Sequence, residues 1–305
     1  MNGIIYIACT SVGRYIIKSH LKYHPSIPIL GIINLDRKKA INKANYDSLY
    51  DLAVTNDIDI LYCSNVNSES VLSFIKAKNP TLIIQSGWSQ KFGNELLFLP
   101  KYGCIGEHPA LLPEGRGAAC VNWAIIENKR KWGDSFFKMV EQYDAGPVYA
   151  QNSIIIENYD NVFSVYEKVA FSSSHIIKDN LHNWFNGIFK SLVLDESKAT
   201  YYKKRRPKDG ELNFLWDDIM IYNYVRALTK PYPGAFFYYK ETKVIVWSAK
   251  LLNITTNKPA GVMSIDLNNQ SLLVSTGNNK LIAFQILQIE DYPEIFAHNF
   301  FKHLN

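Results

Sequence analysis

Thr81-Leu82-Ile83-Ile84-Gln85 is a run of consecutive Leu and Ile closed by a polar residue, and Gly103-Cys104-Ile105-Gly106-Glu107 follows as a second short segment of the same type. A strand that is apolar at successive positions is buried on both faces, which is the habit of a parallel sheet covered by helices. Working back from this run, strand-like segments at Ile4–Ala8, Ile27–Asn34 and Ile58–Tyr62 alternate with helical patterns at Val12–Leu21, Ser48–Val54 and Val71–Lys76. The alternation predicts an α/β fold, with a Rossmann-like and mostly parallel sheet in an N-terminal domain. Ligands of such sheets sit beyond the carboxyl ends of the strands. His108 follows the strand at 103–107 and stands at that end.

Working forward, Val162, Val165, Tyr166, Val169, Ile176, Ile177, Leu181, Trp184 and Ile188 keep helical spacing and close the first domain. The basic stretch Tyr201-Tyr202-Lys203-Lys204-Arg205-Arg206-Pro207-Lys208-Asp209-Gly210 reads as a connector. Beyond it come a helix at Ile219–Leu228, a Pro231-Tyr232-Pro233-Gly234 turn, and short strands at Ala235–Tyr239, Lys243–Lys250, Ser271–Ser275 and Lys280–Ile289. This pattern predicts a smaller, β-rich, OB-like C-terminal domain. The expected division is 1–200 and 201–305.

Composition supports two cores. The chain has 305 residues, 47% hydrophobic, 20% charged and 13% aromatic, which excludes disorder. A net charge of +5 suits an anionic small ligand and does not by itself argue for nucleic acid. Cys9, Cys63, Cys104 and Cys120 show no C-x-x-C spacing, so buried free thiols in a reducing, cytoplasmic setting are expected, and no metal site. The opening MNGIIYIACTSVGRYIIK lacks a basic region before its apolar run and reads as a strand entering a helix. No apolar stretch approaches the ~18 residues of a membrane span. The absence of G-x-G-x-x-G and of GxxxxGK[ST] argues against a dinucleotide and against a P-loop.

Two titratable residues carry the chemistry. The chain also has histidines at 20, 24, 175, 182, 298 and 303, and a surface role is the ordinary reading of any one of them. His108 differs in preceding Pro109-Ala110-Leu111-Leu112-Pro113 and then Arg116-Gly117. Asp144, within Tyr143-Asp144-Ala145-Gly146, would alone be a turn former. The strand-like run Phe136–Val140 delivers it to a strand end, where it can come within hydrogen-bond reach of His108 and form an acid/base pair. Trp88 and Trp123 could stack on a ring or pack in a core. The run Lys203–Arg206 could bind phosphate or be a solvated face.

The segment from Thr81 to Ala150, with its HPALLPEGRG and DAG strings, resembles the catalytic core of the N10-formyltetrahydrofolate-dependent formyltransferases. Arg206–Gly210 and Val225–Phe236 are similar to the start of that family's C-terminal domain, and the branch most resembled formylates amino groups of nucleotide-linked sugars. The resemblance implies transfer of a formyl group from N10-formyltetrahydrofolate to an amino sugar in surface-polysaccharide (lipopolysaccharide, O-antigen) biosynthesis. It further implies no metal, no membrane, no nucleic-acid partner and a homodimer. His108 would donate a proton or stabilise an oxyanion, with Asp144 orienting the ring. Gln90, Lys91 and Phe92, together with Val140, Glu141, Gln142, Tyr143 and Asp144, would line the folate pocket, and Trp88, Arg116 and Tyr232 would meet the substrate.

The family usually has Asn two residues before the histidine, and Gly106 stands there instead. Glu107 is a poor substitute because it points to the opposite face of an extended strand. Ala118 and Cys120 replace a frequent Arg and a usual Pro. Two other functions stay open. Methionyl-tRNA formyltransferase shares the core, but its usual basic, glycine-containing loop is here the glycine-free Asn34–Lys43. A homologue that binds folate or a sugar nucleotide without turnover is suggested by Gly106 and opposed by the retained His108 and Asp144.

Overall fold

The apolar runs form strands because helices cover them from both sides. The structure, a computed structural model, describes residues 2–41 and 43–303. Asn42, in the basic loop noted above, lies outside the described residues. In chain order the first elements are β1 (Ile4–Ala8), α1 (Ser11–Tyr23), β2 (Ile29–Leu35), α2 (Arg37–Ala40), α3 (Tyr50–Thr55), β3 (Ile60–Cys63), α4 (Glu69–Lys78), β4 (Leu82–Ser86), α5 (Asn94–Phe98) and β5 (Cys104–His108). Then follow β6 (Arg116–Gly117), α6 (Cys120–Ile126), β7 (Lys131–Lys138), β8 (Val148–Ile155), α7 (Val162–Phe185) and β9 (Tyr201–Tyr202). The chain divides into two compact units, one of residues 1–120, 131–155 and 166–203, the other of 121–130, 156–165 and 204–305.

In the first unit seven strands are ordered β3-β2-β1-β4-β5-β7-β8. The strands from β3 to β5 in that order run parallel, while β7 pairs antiparallel with β5 and β8 antiparallel with β7. One face carries Ile5, Ile7, Ile33, Ile83 and Cys104, packed on Val71, Leu72 and Ile75 of α4 and Leu96 and Leu97 of α5. The other face carries Tyr6, whose hydroxyl pairs with His20 of α1 at 2.8 Å, and Phe136, which stacks on Trp184 of α7 with ring centroids 5.6 Å apart. Strand order reverses at β1, where β2 and β4 flank it, so the ligand crevice of such a sheet opens between the carboxyl ends of β1 and β4. β4 and β5 pair with Gln85 opposite Gly106.

Several elements depart from the sequence reading, three of them between residues 131 and 188. α7 stops at Phe185 because Gly187 takes a left-handed φ of 77° and the Ile188 N–H turns back to the Asn183 carbonyl. The run expected over Phe136–Val140 is the end of a longer strand, Lys131–Lys138. β8 escaped the sequence because it is the last strand of the sheet, and its central Tyr149–Asn152 lie half-buried without an apolar run.

The second unit contains α8 (Asp218–Leu228), β10 (Ala235–Tyr239), β11 (Thr242–Thr255), β12 (Met263–Asp266), β13 (Ser271–Ser275), β14 (Lys280–Ile289) and β15 (Glu294–Phe296). The sheet is antiparallel in the order β10-β11-β14-β13-β12, with β15 paired to β14. Phe237, Phe284 and Phe300 are fully buried in its core. The Arg205 guanidinium lies over Trp123 at 4.6 Å and over Tyr224 at 5.2 Å, so one cation of the basic connector is engaged in packing. Among the described residues no helix is long and apolar enough to cross a membrane.

Candidate active site

His108 ends β5, where the strand delivers it, buried at 7% exposure, to the carboxyl edge of the sheet. Its Nε2 lies 2.8 Å from the carbonyl of Gly115, and its Nδ1 lies 3.8 Å from Asp144 Oδ2. The second distance is that of an ion pair and is longer than a hydrogen bond. Burial disfavours a charged ring, but the Cys120 sulfur, the Asp144 carboxylate and the Gly115 carbonyl outweigh it and push the pKa of His108 up to about 10. A raised pKa favours the protonated form of the ring, the form that has a proton to give.

Asp144 sits in the loop between β7 and β8 with a left-handed φ of 50°, a conformation that Asp tolerates better than most residues. Two bonds from the Arg-Gly dipeptide hold it there. The Gly117 N–H donates to Asp144 Oδ2 at 2.9 Å, and Arg116 Nε donates to the Asp144 carbonyl at 2.8 Å. Gly146 completes the loop, because a Cβ there would stand 1.8 Å from the Lys138 carbonyl oxygen. Gly115, with φ of 78°, presents its carbonyl to His108, and a Cβ on it would meet the Trp132 ring at 2.6 Å. The widely spaced HP, GRG and DAG strings thus converge on one imidazole.

Gly106 shares the His108 face of the sheet. It pairs with Phe137 on β7, and a Cβ at 106 would come 2.9 Å from that ring and 3.1 Å from Met139 Cγ. Glu107 accepts from Ser86 Oγ at 2.6 Å on the opposite face, where burial raises the carboxyl's pKa.

The two segments expected to line a folate pocket lie together, with Lys91 Nζ 4.0 Å from Glu141 Oε1. Gln90 is knitted into the loop after β3, accepting from the Val66 N–H and donating to the Ser64 carbonyl. Phe92 and Trp88 are buried in the core face over α4 and α5. Arg116 is 4% exposed, its guanidinium shared among the Asp144 carbonyl, the Tyr201 hydroxyl and Glu196. Tyr232 belongs to the second unit, half-buried in the turn after α8.

Two members of this site were not read from sequence as functional. Cys120 was noted only as a departure at a usual proline, yet it is a neighbour of the His108 ring. The Gly115 carbonyl carries no side-chain signal at all. Among the described residues no group of three or more His, Cys, Asp or Glu is placed to hold a metal.

A pterin presents alternating donors and acceptors along one edge, and the site has backbone to meet it. Among the described residues the N–H groups of Val140, Glu141, Gln142 and Tyr143 have no partner. The residues present therefore fit a folate.

Residues 36–181 match the Formyl transferase family, and residues 204–305 match the Formyl transferase C-terminal domain. The bifunctional polymyxin resistance protein ArnA of Wigglesworthia glossinidia brevipalpis is 28% identical over 83% of this chain, which spans 38% of that protein's length. The methionyl-tRNA formyltransferase of Bacillus pumilus is also 28% identical, over 83% of this chain and 79% of its own. The N-formyltransferase of Helicobacter canadensis, solved with folinic acid and dTDP-3-aminofucose, has the same fold with a TM-score of 0.68 at 15% identity, covering 93% of this chain and 99% of its own. The two family matches, one over the sheet that carries His108 and Asp144 and one over the C-terminal unit, place the chain in the formyl transferase family.

Proposed function

We propose that this chain transfers a formyl group from N10-formyltetrahydrofolate to the amino group of a nucleotide-linked amino sugar. The observation that carries the reading is the His108 ring, 3.8 Å from an Asp144 that the Gly117 N–H and the Arg116 Nε hold in place. The folate supplies an activated formyl carbon, and the sugar amine replaces the nitrogen to which that carbon is attached. His108 offers a proton beside the oxygen on which negative charge develops. Asp144 keeps the ring charged and oriented. The free amides of Val140–Tyr143, in the segment whose Glu141 side chain lies 4.0 Å from Lys91, would hold the pterin.

A sugar is favoured over a tRNA on three grounds. The net charge of +5 is small for a surface that must neutralise many phosphates, and the segment at 34–43 has no glycine. The relative from Helicobacter canadensis binds a dTDP-amino sugar. The tRNA reading keeps its place because a methionyl-tRNA formyltransferase is 28% identical. Buried free thiols at Cys9, Cys63, Cys104 and Cys120 suit the cytoplasm, which is where this donor and these acceptors would meet.

The test is a formyl-transfer assay with N10-formyltetrahydrofolate against dTDP-, UDP- and GDP-linked amino sugars and charged initiator tRNA. Turnover on a nucleotide sugar supports the reading, transfer to tRNA alone replaces it, and folate binding without any transfer favours a non-catalytic homologue.

A further inference from the structure

The sheet face below His108 is apolar almost throughout, with Ile5, Ile7, Ile33, Ile83 and Cys104 packed on α4 and α5. Gln85 breaks the row. It is 6% exposed and lies in register between Ile7 on β1 and Gly106 on β5. Register partners of paired strands put their side chains on the same face, so the Gln85 carboxamide rises on the face that bears His108. A carboxamide buried in an apolar row is costly unless its hydrogen bonds are met. Only one is met among the described residues: Nε2 donates to the Trp88 carbonyl at 3.2 Å. The amide carries a second N–H, for which no acceptor is present among the described residues.

The neighbours explain why the group is open to a ligand. Gly106, beside Gln85, has no side chain to stand between the carboxamide and the strand end where His108 lies. On the far flank Phe137 and Met139 close on Gly106 and bring no donor. Ser135, the register partner of His108, is also occupied, because its hydroxyl donates to the Ala110 carbonyl and accepts from Leu112 and Gln151. Gln151, the register partner of Ser135, shares this face, but its Nε2 already donates to the Leu112 carbonyl and to Ser135 Oγ, so Gln85 is the side-chain amide there with an N–H to offer toward His108.

We propose that Gln85 donates a hydrogen bond from Nε2 to the formyl oxygen as negative charge develops on it, acting together with His108. The proposal rests on the formyl-transfer reading above. Gln85 forms and breaks no covalent bond. It supplies a fixed dipole, and such a donor counts most at the oxygen of the transition state and least in binding the donor folate.

The experiment compares wild type with Gln85→Leu, which keeps the bulk and removes the donor, and Gln85→Glu, which keeps an acceptor and removes the donor. Formyl transfer to the best acceptor is read with folate binding, followed by tryptophan fluorescence, and with thermal melting. The expected result is a loss of about 10²–10³-fold in kcat for both variants, with folate affinity changed by less than about threefold. Gln85→Glu decides the matter if Gln85→Leu does not fold. An active wild type with kcat in both folded variants within about twofold of it overturns the role of Gln85 and leaves the formyl-transfer reading intact. A wild type without turnover sinks the reading itself, and the proposal with it.

Discussion

The Gly117 amide donates to Asp144 Oδ2 at 2.9 Å, so a backbone group of the Arg-Gly dipeptide, and not a side chain, sets where the carboxylate faces His108. The same dipeptide reaches the Asp144 carbonyl through Arg116 Nε. Asp144→Asn keeps the shape and removes the charge. Its expected effect is a fall of about 10²–10⁴ in kcat, with folate binding retained. Steady-state kinetics beside a folate titration check it, and unchanged kcat would remove Asp144 from the chemistry.

Gly146 has no substitute. A methyl group there would stand 1.8 Å from the Lys138 carbonyl oxygen, which is backbone and cannot swing aside. Gly146→Ala is expected to cost at least about 1–3 kcal/mol and to displace Asp144 with its loop. Urea unfolding and the transfer assay together test this, and a variant that melts and turns over like wild type contradicts it.

His108 links activity and stability to pH. Its folded pKa of about 10 lies above the unfolded value of about 6.5, so its contribution to stability is complete below about pH 6.5 and is lost as pH rises through 10. The Cys120 sulfur is one cause of the rise, so Cys120→Ala should shift the alkaline titration of the ring to lower pH. NMR of the ring protons measures this directly. A midpoint that does not move assigns the shift to Asp144 and Gly115.

Glu107 and Asp134 lie on the face opposite His108, both buried, and burial raises both carboxyl pKa values. A raised carboxyl pKa gives stability that is complete below the unfolded value of about 4 and is lost as pH climbs through the folded value. Glu107→Gln should therefore gain stability relative to wild type at alkaline pH and flatten the dependence of Tm on pH. A parallel fall of both Tm curves between pH 5 and 9 would speak against it.

Much of the fold was legible where apolar runs end in turn chemistry. Ile4–Ala8, Ala235–Tyr239, Ser271–Ser275 and Lys280–Ile289 coincide with strands at both ends. β8 and β12 were not legible, because partly buried strands need no apolar run. At the site, His108 and Asp144 could be named from their motifs, but the bond from Gly117 to Asp144 joins backbone to side chain across a fold that no local spacing encodes. The row Ile7–Gln85–Gly106–Phe137 exists only through strand register, so neither the closing of Gly106 by Phe137 nor the exposure of Gln85 to the His108 face could be read beforehand.

The most direct test of the account is single-turnover formyl transfer to a nucleotide-linked amino sugar by wild type and by His108→Asn, each saturated with N10-formyltetrahydrofolate. The account predicts transfer by wild type and a loss of about 10²–10⁴-fold in the variant, with folate still bound. Equal rates in the two proteins would contradict it.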